Sequence, residues 1–135
     1  MITYQVEQSL SPSEFKELLI KSTLGERRPV ADFERIKAMV ENANLIITAR
    51  DDQNLVGVAR SVTDFVYYTY LSDLAVDSEY QNQGIGKELI RLTKQHTPEA
   101  MIILLAAPKA VDYYPHIGMT KHNACFLLLD QNDLK

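Results

Sequence analysis

The chain has 135 residues, of which 46% are hydrophobic and 24% charged, with a net charge of -4. That length suits a single domain over residues 1–135 with a core of its own, and the composition excludes a disordered chain. There is no basic block, no bilayer-length apolar run and no signal-peptide pattern in MITYQVEQ, so nucleic acid and membrane are not expected partners.

Cys125 is the one cysteine, so no internal disulfide can form and a reducing cytoplasm is the expected location. His96, His116, His122 and Cys125 show no metal-ligand spacing, which argues against a metal site.

ITYQVEQ alternates as a first strand does. Ser11 then reads as a helix cap, with Pro12 in the first helical position and Glu14 closing a capping box. Phe15, Leu18 and Leu19 give that helix its apolar face. GERRPV interrupts, and a second helix follows with Phe33, Ile36, Val40 and Ala43 near a 3.6-residue repeat. Arg27 and Arg28 in the intervening loop read as a solvated pair.

LIITAR and LVGVARSVT flank a turn at Asp51 to Asn54, the pattern of a hairpin. Tyr67 to Val76 is a further β-rich run, after a turn at Thr63 and Asp64. A helix from about Gly84 to His96 carries Ile85, Leu89 and Leu92 on one face and stops before Pro98. MIILLAA is wholly apolar, as strands covered on both faces are. A short helix containing Ala110 to His116 and a terminal strand ACFLLLD complete the chain. The order β-α-α-β-β-β-α-β-α-β describes an α/β fold, a mixed sheet with helices on both faces.

The turn QNQGIG deserves weight because it joins a strand to a helix start. The first backbone N–H groups of a helix have no internal partners, and the peptide dipoles concentrate positive charge there. Glycine removes the Cβ that would keep an incoming group away. Together these describe an anion site. Gly86 is followed by Lys87 and Glu88, so the turn is no P-loop, and the G-x-G spacing is no dinucleotide fingerprint. On the glycines alone, a simple connecting turn remains the plainer reading.

The longer string LAVDSEYQNQGIGKELI resembles the acyl-CoA-binding signature of the GNAT superfamily of N-acyltransferases, with Gln81, Gly84 and Gly86 at its three defined positions. APKAVDYYPHIGM is similar to a later element of the same family, with Tyr113-Tyr114 and Gly118-Met119 at its marked positions. The resemblance implies a central sheet whose strands splay apart. Backbone groups of Leu74, Ala75 and Val76 would pair with the pantetheine arm of acetyl-CoA, the co-substrate. Gln81, Asn82, Gln83, Gly84, Ile85, Gly86 and Lys87 would form the turn whose N–H groups hold the pyrophosphate.

It also implies transfer of the acetyl group to a primary amine of a small molecule or peptide, by direct attack in a ternary complex. Tyr114 would protonate the departing thiolate, a task suited to a phenol that stays un-ionised at neutral pH. Asp73, in SDLAV, is the candidate base, set against the plainer reading that it braces the splayed strands. Asp64 is a second acidic candidate, although aspartate is common in turns for local reasons. Tyr68 and Tyr70 should share a sheet face, lining the cleft or filling the core.

The family often ends with two longer strands, whereas this chain has room for one. An apolar terminal strand such as CFLLL is costly to leave uncovered, so a homodimer is expected to cover it. A non-catalytic acyl-CoA sensor and a nucleotide-binding α/β protein are the competing functions. The acceptor's identity is not legible.

Overall fold

A computed structural model describes residues 1–135. The chain falls into two compact units, Met1–Leu105 and Ala106–Lys135.

The first unit is built on one five-stranded sheet. Its strands are β1 (Ile2–Val6), β2 (Leu45–Asp51), β3 (Asn54–Thr63), β4 (Tyr68–Val76) and β5 (Met101–Ile103), and they lie in sequence order. The first four run antiparallel, and β5 joins β4 in parallel. The helices are α1 (Pro12–Lys21), α2 (Phe33–Asn42) and α3 (Ile85–His96).

Helix α1 starts where Ser11 and Pro12 place it, with the Glu14 N–H donating to Ser11 Oγ at 3.3 Å. The Glu14 carboxylate does not close a capping box; it accepts from Arg50 instead, at 2.8 and 3.1 Å. Asp32 caps α2 in the same way, accepting from the Arg35 N–H at 3.1 Å.

Strand pleating sorts the sheet's apolar residues into two cores. Ile46, Val58 and Ala75 meet Phe15, Leu18, Leu19, Ile36 and Val40 of α1 and α2. Ile47, Ala49, Val56, Ala59 and Leu71 meet Ile85 and Leu89 of α3. The helix α3 approaches β3 so closely that a Cβ on Gly57 would lie 3.0 Å from Ile85 and 3.1 Å from Leu89.

The second unit contains a 3-10 turn at Pro108–Ala110, the short helix α4 (Tyr113–His116) and another 3-10 turn at Gln131–Asp133. Gly118, at φ 105°, ends α4: its N–H reaches the Pro115 carbonyl at 3.1 Å, and the Met119 N–H reaches that of Tyr114 at 2.9 Å. This is a Schellman ending, which needs a left-handed residue.

Three further expectations change. Only Met101–Ile103 of MIILLAA is strand, and it lies at the sheet edge with Met101 57% and Ile103 44% exposed, rather than covered on both faces. ACFLLLD forms no strand, and Phe126 and Leu129 are 88% and 92% exposed. The last helix is shorter than Ala110 to His116, because Ala110 belongs to the 3-10 turn and Val111 and Asp112 form a turn before the helix begins. The α/β class and the order of the preceding elements stand.

Candidate active site

Strands β4 and β5 pair only over Tyr68–Tyr70 and Met101–Ile103. From Leu71 to Val76, β4 keeps its antiparallel partner β3 and has no strand on its other side. A sheet edge opened inside a sheet offers backbone donors and acceptors to an extended molecule. The expected residues Leu74, Ala75 and Val76 lie on this edge. Ala75 is buried, while Leu74 and Val76 are half-buried.

The edge leads directly into the glycine turn. Asp77 ends β4, its carboxylate accepting from the Glu79 N–H at 2.9 Å. Gln81 Nε2 donates to the Val76 carbonyl at 3.2 Å, which ties the turn to the strand end. Asn82 and Gly84 both adopt left-handed backbone, at φ 64° and 81°. Gly84 is the N-terminal boundary of α3, and no side chain caps the helix.

A Cβ built on Gly84 would meet nothing within 4 Å, so the space over the helix mouth is open. Gln83 and Lys87 are exposed, Gly86 is half-buried, and the Ile85 side chain is committed to the core. Left-handed residues beside an uncapped helix start make a concave set of N–H groups suited to an anion.

Asp73 is placed differently from a free carboxylate. It is fully buried: one oxygen accepts from Arg28 Nε and the other from Arg60 Nε, the latter at 2.5 Å. Arg28 also donates to the Ser72 carbonyl at 2.8 Å, and Arg60 to Ser72 Oγ and the Met39 carbonyl, each at 2.9 Å. Ser72 is the extra residue of a β-bulge, since Arg60 pairs with Asp73 and Ser61 with Leu71.

Bulges bend a strand and re-aim its side chains. With both oxygens held by arginines at the bulge, Asp73 is arranged as the bracing reading expects. The solvated reading of Arg28 is corrected by the same contact. Arg60 and Ser72 were not anticipated; a charged residue inside the buried run VGVARSV was the signal that a counter-charge lay nearby.

Asp64 behaves as a turn residue, its Oδ1 accepting from the N–H groups of Val66, Tyr67 and Tyr68. Those bonds, led by the one from Tyr67, hold its carboxyl below the usual range. Tyr80 was also missed; its hydroxyl donates to Asp51 at 2.8 Å and fastens the turn after β4 to the end of β2.

In the second unit, Tyr114 lies in α4 with Tyr113 packed edge-on, ring centroids 5.2 Å apart. Burial, and then the neighbouring Tyr113, push the Tyr114 phenol above its ordinary value. A phenol with its ordinary pKa of ~10 is already un-ionised at neutral pH, and burial moves Tyr114 further the same way. No helix of the chain is long and apolar enough to cross a membrane.

Residues 11–126 match the acetyltransferase (GNAT) domain family. Among curated proteins, an uncharacterized N-acetyltransferase, ycf52, from Gracilaria tenuistipitata var. liui is 30% identical over 109 residues, covering 76% of this chain and 58% of that protein. The chain thus spans little more than half the length of that relative.

A GNAT family acetyltransferase from Streptococcus pneumoniae TIGR4 superposes with a TM-score of 0.81 at 22% identity, covering 97% of this chain and 99% of the other. An aminoglycoside acetyltransferase from an uncultured soil metagenomic sample, solved with sisomicin, gives 0.69 at 20% identity over 96% and 95%. At those identities the superpositions speak to fold alone.

Proposed function

Because the chain belongs to the GNAT acetyltransferase family, we propose that it is an N-acetyltransferase that moves the acetyl group of acetyl-CoA to a primary amine of a small molecule or peptide. The observation that carries this reading is the unpaired edge of β4 from Leu71 to Val76 running into the uncapped, glycine-opened start of α3. An extended amide-bearing arm ending in a diphosphate fits those two features together. Leu74, Ala75 and Val76 would bind the arm, and the backbone N–H groups from Asn82 to Lys87 would bind the diphosphate, with Gln81 holding the turn.

In the transfer, the amine nitrogen bonds to the thioester carbonyl carbon and the carbon–sulfur bond breaks. Tyr114, un-ionised at neutral pH as an ordinary phenol is, gives its proton to the thiolate. With Asp73 occupied by two arginines, the amine's proton leaves through water. The attack is direct, within a ternary complex.

The family match crosses both compact units, which supports reading residues 1–135 as one domain. The exposed thiol of Cys125 suits a reducing cytoplasm. A homodimer is part of the proposal, since an apolar terminal segment such as CFLLL is costly to leave uncovered.

The test is calorimetry with coenzyme A, followed by thiol release from acetyl-CoA against a panel of amines. Binding together with amine-stimulated release is expected, and Tyr114→Phe should lower kcat about 100-fold with little change in the KM for acetyl-CoA. Tight binding without release for any amine would favour an acyl-CoA sensor. Absence of binding would remove the proposal.

A further inference from the structure

We propose that Tyr80 and Asp51 are positioning residues for the diphosphate, the bond between them holding the glycine turn in the shape that an anion needs. The inference rests on the proposed binding of coenzyme A and deepens it. It gives the two side chains no contact with the ligand; they act through the turn.

The turn supplies little of its own to keep that shape. Gln81, Asn82, Gln83 and Gly84 are all exposed, and Asn82 and Gly84 stand in left-handed backbone. No side chain caps α3 behind them. Left-handed backbone is disfavoured for a residue with a Cβ, although asparagine tolerates it better than most. Such a conformation persists only where the surroundings over-determine it. The two ends of the turn must therefore be fixed.

Ile85 fixes one end, because its side chain is buried in the core beneath α3. Tyr80 fixes the other. It closes the 3-10 turn Ser78–Tyr80, its N–H donating to the Asp77 carbonyl at 2.8 Å. Its half-buried ring packs against the same core as Ile85.

Apolar contact has no direction, so packing alone would let the ring slide over the core surface. The hydroxyl adds direction by donating to Asp51 Oδ2 at 2.8 Å. Asp51 is a rigid post for it: the last residue of β2 is paired with Ile2 of β1 and with Asn54 of β3. The contact shows in both groups. The bond from Tyr80 is the main cause that lowers the Asp51 carboxyl, and the bond to Asp51 is the main cause that raises the Tyr80 phenol.

A phenylalanine ring would serve the core, and water would satisfy a free hydroxyl. What the bond contributes is the fixed place of the turn. An anion site made of backbone N–H groups loses affinity by whatever it costs to reassemble the site, so a loosened turn binds more weakly through the same contacts.

Coenzyme A titrated calorimetrically into the protein and its variants tests this. Tyr80→Phe keeps the ring and should raise the Kd about tenfold. Asp51→Ala should do the same, and the double variant should bind as Asp51→Ala alone does, because both lack the one bond. Asp51→Asn retains an oxygen that accepts from the hydroxyl, and should restore the Kd to within about threefold of the parent. The urea midpoint of Tyr80→Phe should stay within about 0.3 M of the parent's.

A Kd for Tyr80→Phe within about twofold of the parent would overturn the positioning role and leave the binding of coenzyme A standing. Losses that add in the double variant, or no rescue by Asp51→Asn, would overturn it in the same way. A urea midpoint that falls together with the affinity would make Tyr80 a residue of the fold and not of the site. A parent that binds no coenzyme A would overturn both this role and the proposed function.

Discussion

Replacing Asp73 by Asn separates the bracing role from a catalytic one. The substitution keeps the side chain's size but removes the charge that both arginines face. One of its two oxygens becomes an NH₂ group pointed at a guanidinium donor. Asp73 is fully buried, and the Arg60 side chain is only 8% exposed. Arg60 cannot turn to water without giving up its bonds to Met39 and Ser72. Breaking one side of a buried ion pair costs about 3–5 kcal/mol, because the remaining charge is left uncompensated. Arg28 is partly solvated and can relax, which places the expected loss near the lower end, about 3 kcal/mol. Against a total stability of roughly 5–15 kcal/mol, that is a large share. With a urea slope of about 2 kcal/mol/M, the midpoint of unfolding should fall by about 1.5 M at pH 7. A catalytic base predicts the reverse pattern: an unchanged midpoint, with kcat lowered by a factor of about 100 or more and its dependence on pH altered. A midpoint shift under about 0.3 M would refute the bracing role.

Gly84→Ala should cost about 1 kcal/mol of stability, because its left-handed backbone disfavours a Cβ. Calorimetry should also show about tenfold weaker binding of coenzyme A, since the new methyl group enters the open space over the helix mouth. The stability loss without the affinity loss would move the diphosphate elsewhere. Glu7 predicts acid behaviour. Burial pushes its carboxyl up, but hydrogen bonds from Arg50, Thr48 and Gln5 and the charge of Arg50 outweigh this and hold it at about 2. A carboxyl depressed on folding contributes stability above its ordinary pKa near ~4.3 and loses it as pH falls toward the folded value. Denaturation midpoints should therefore drop between about pH 5 and pH 2, and less steeply in Glu7→Gln. Equal slopes in the two proteins would count against the Arg50 pairing.

Local chemistry was legible where the chain carries its own instructions. Ser11 and Pro12 start α1 as expected, the hairpin turns between Asp51 and Asn54, and Ile85 and Leu89 face the sheet. The glycine turn was legible too, since Gly84 both opens α3 and leaves space above it. What escaped was non-local. Arg28 and Asp73 are 45 residues apart, and nothing in GERRPV says that one arginine leaves the loop surface for a buried carboxylate. Arg60 carried a hint, because a buried strand does not hold a charge without a partner. MIILLAA and ACFLLLD misled for a different reason. An apolar run states that cover is needed and is silent about which part of which chain provides it.

The opening in the sheet follows from the same charged cluster that sequence reading passed over. Parallel pairing of β4 with β5 stops at Tyr70, and the bulge at Ser72 lies two residues beyond. A bulge raises the local twist and bends the strand. A bulge carried by one serine would be free to slip back into register, because its extra residue has no ladder partner. Here it is held: Arg28 takes the Ser72 carbonyl, Arg60 takes its hydroxyl, and Asp73 fixes both arginines. Well-packed apolar residues can match a buried ion pair in stability. They have no donors to offer a bulged peptide, however, so they would not fix the place where β4 turns away from β5. The triad's contribution is therefore to shape. It holds the bend just where pairing with β5 ends, so Leu74 to Val76 keep β3 on one side and have no strand on the other, the edge that the proposed function assigns to an extended ligand.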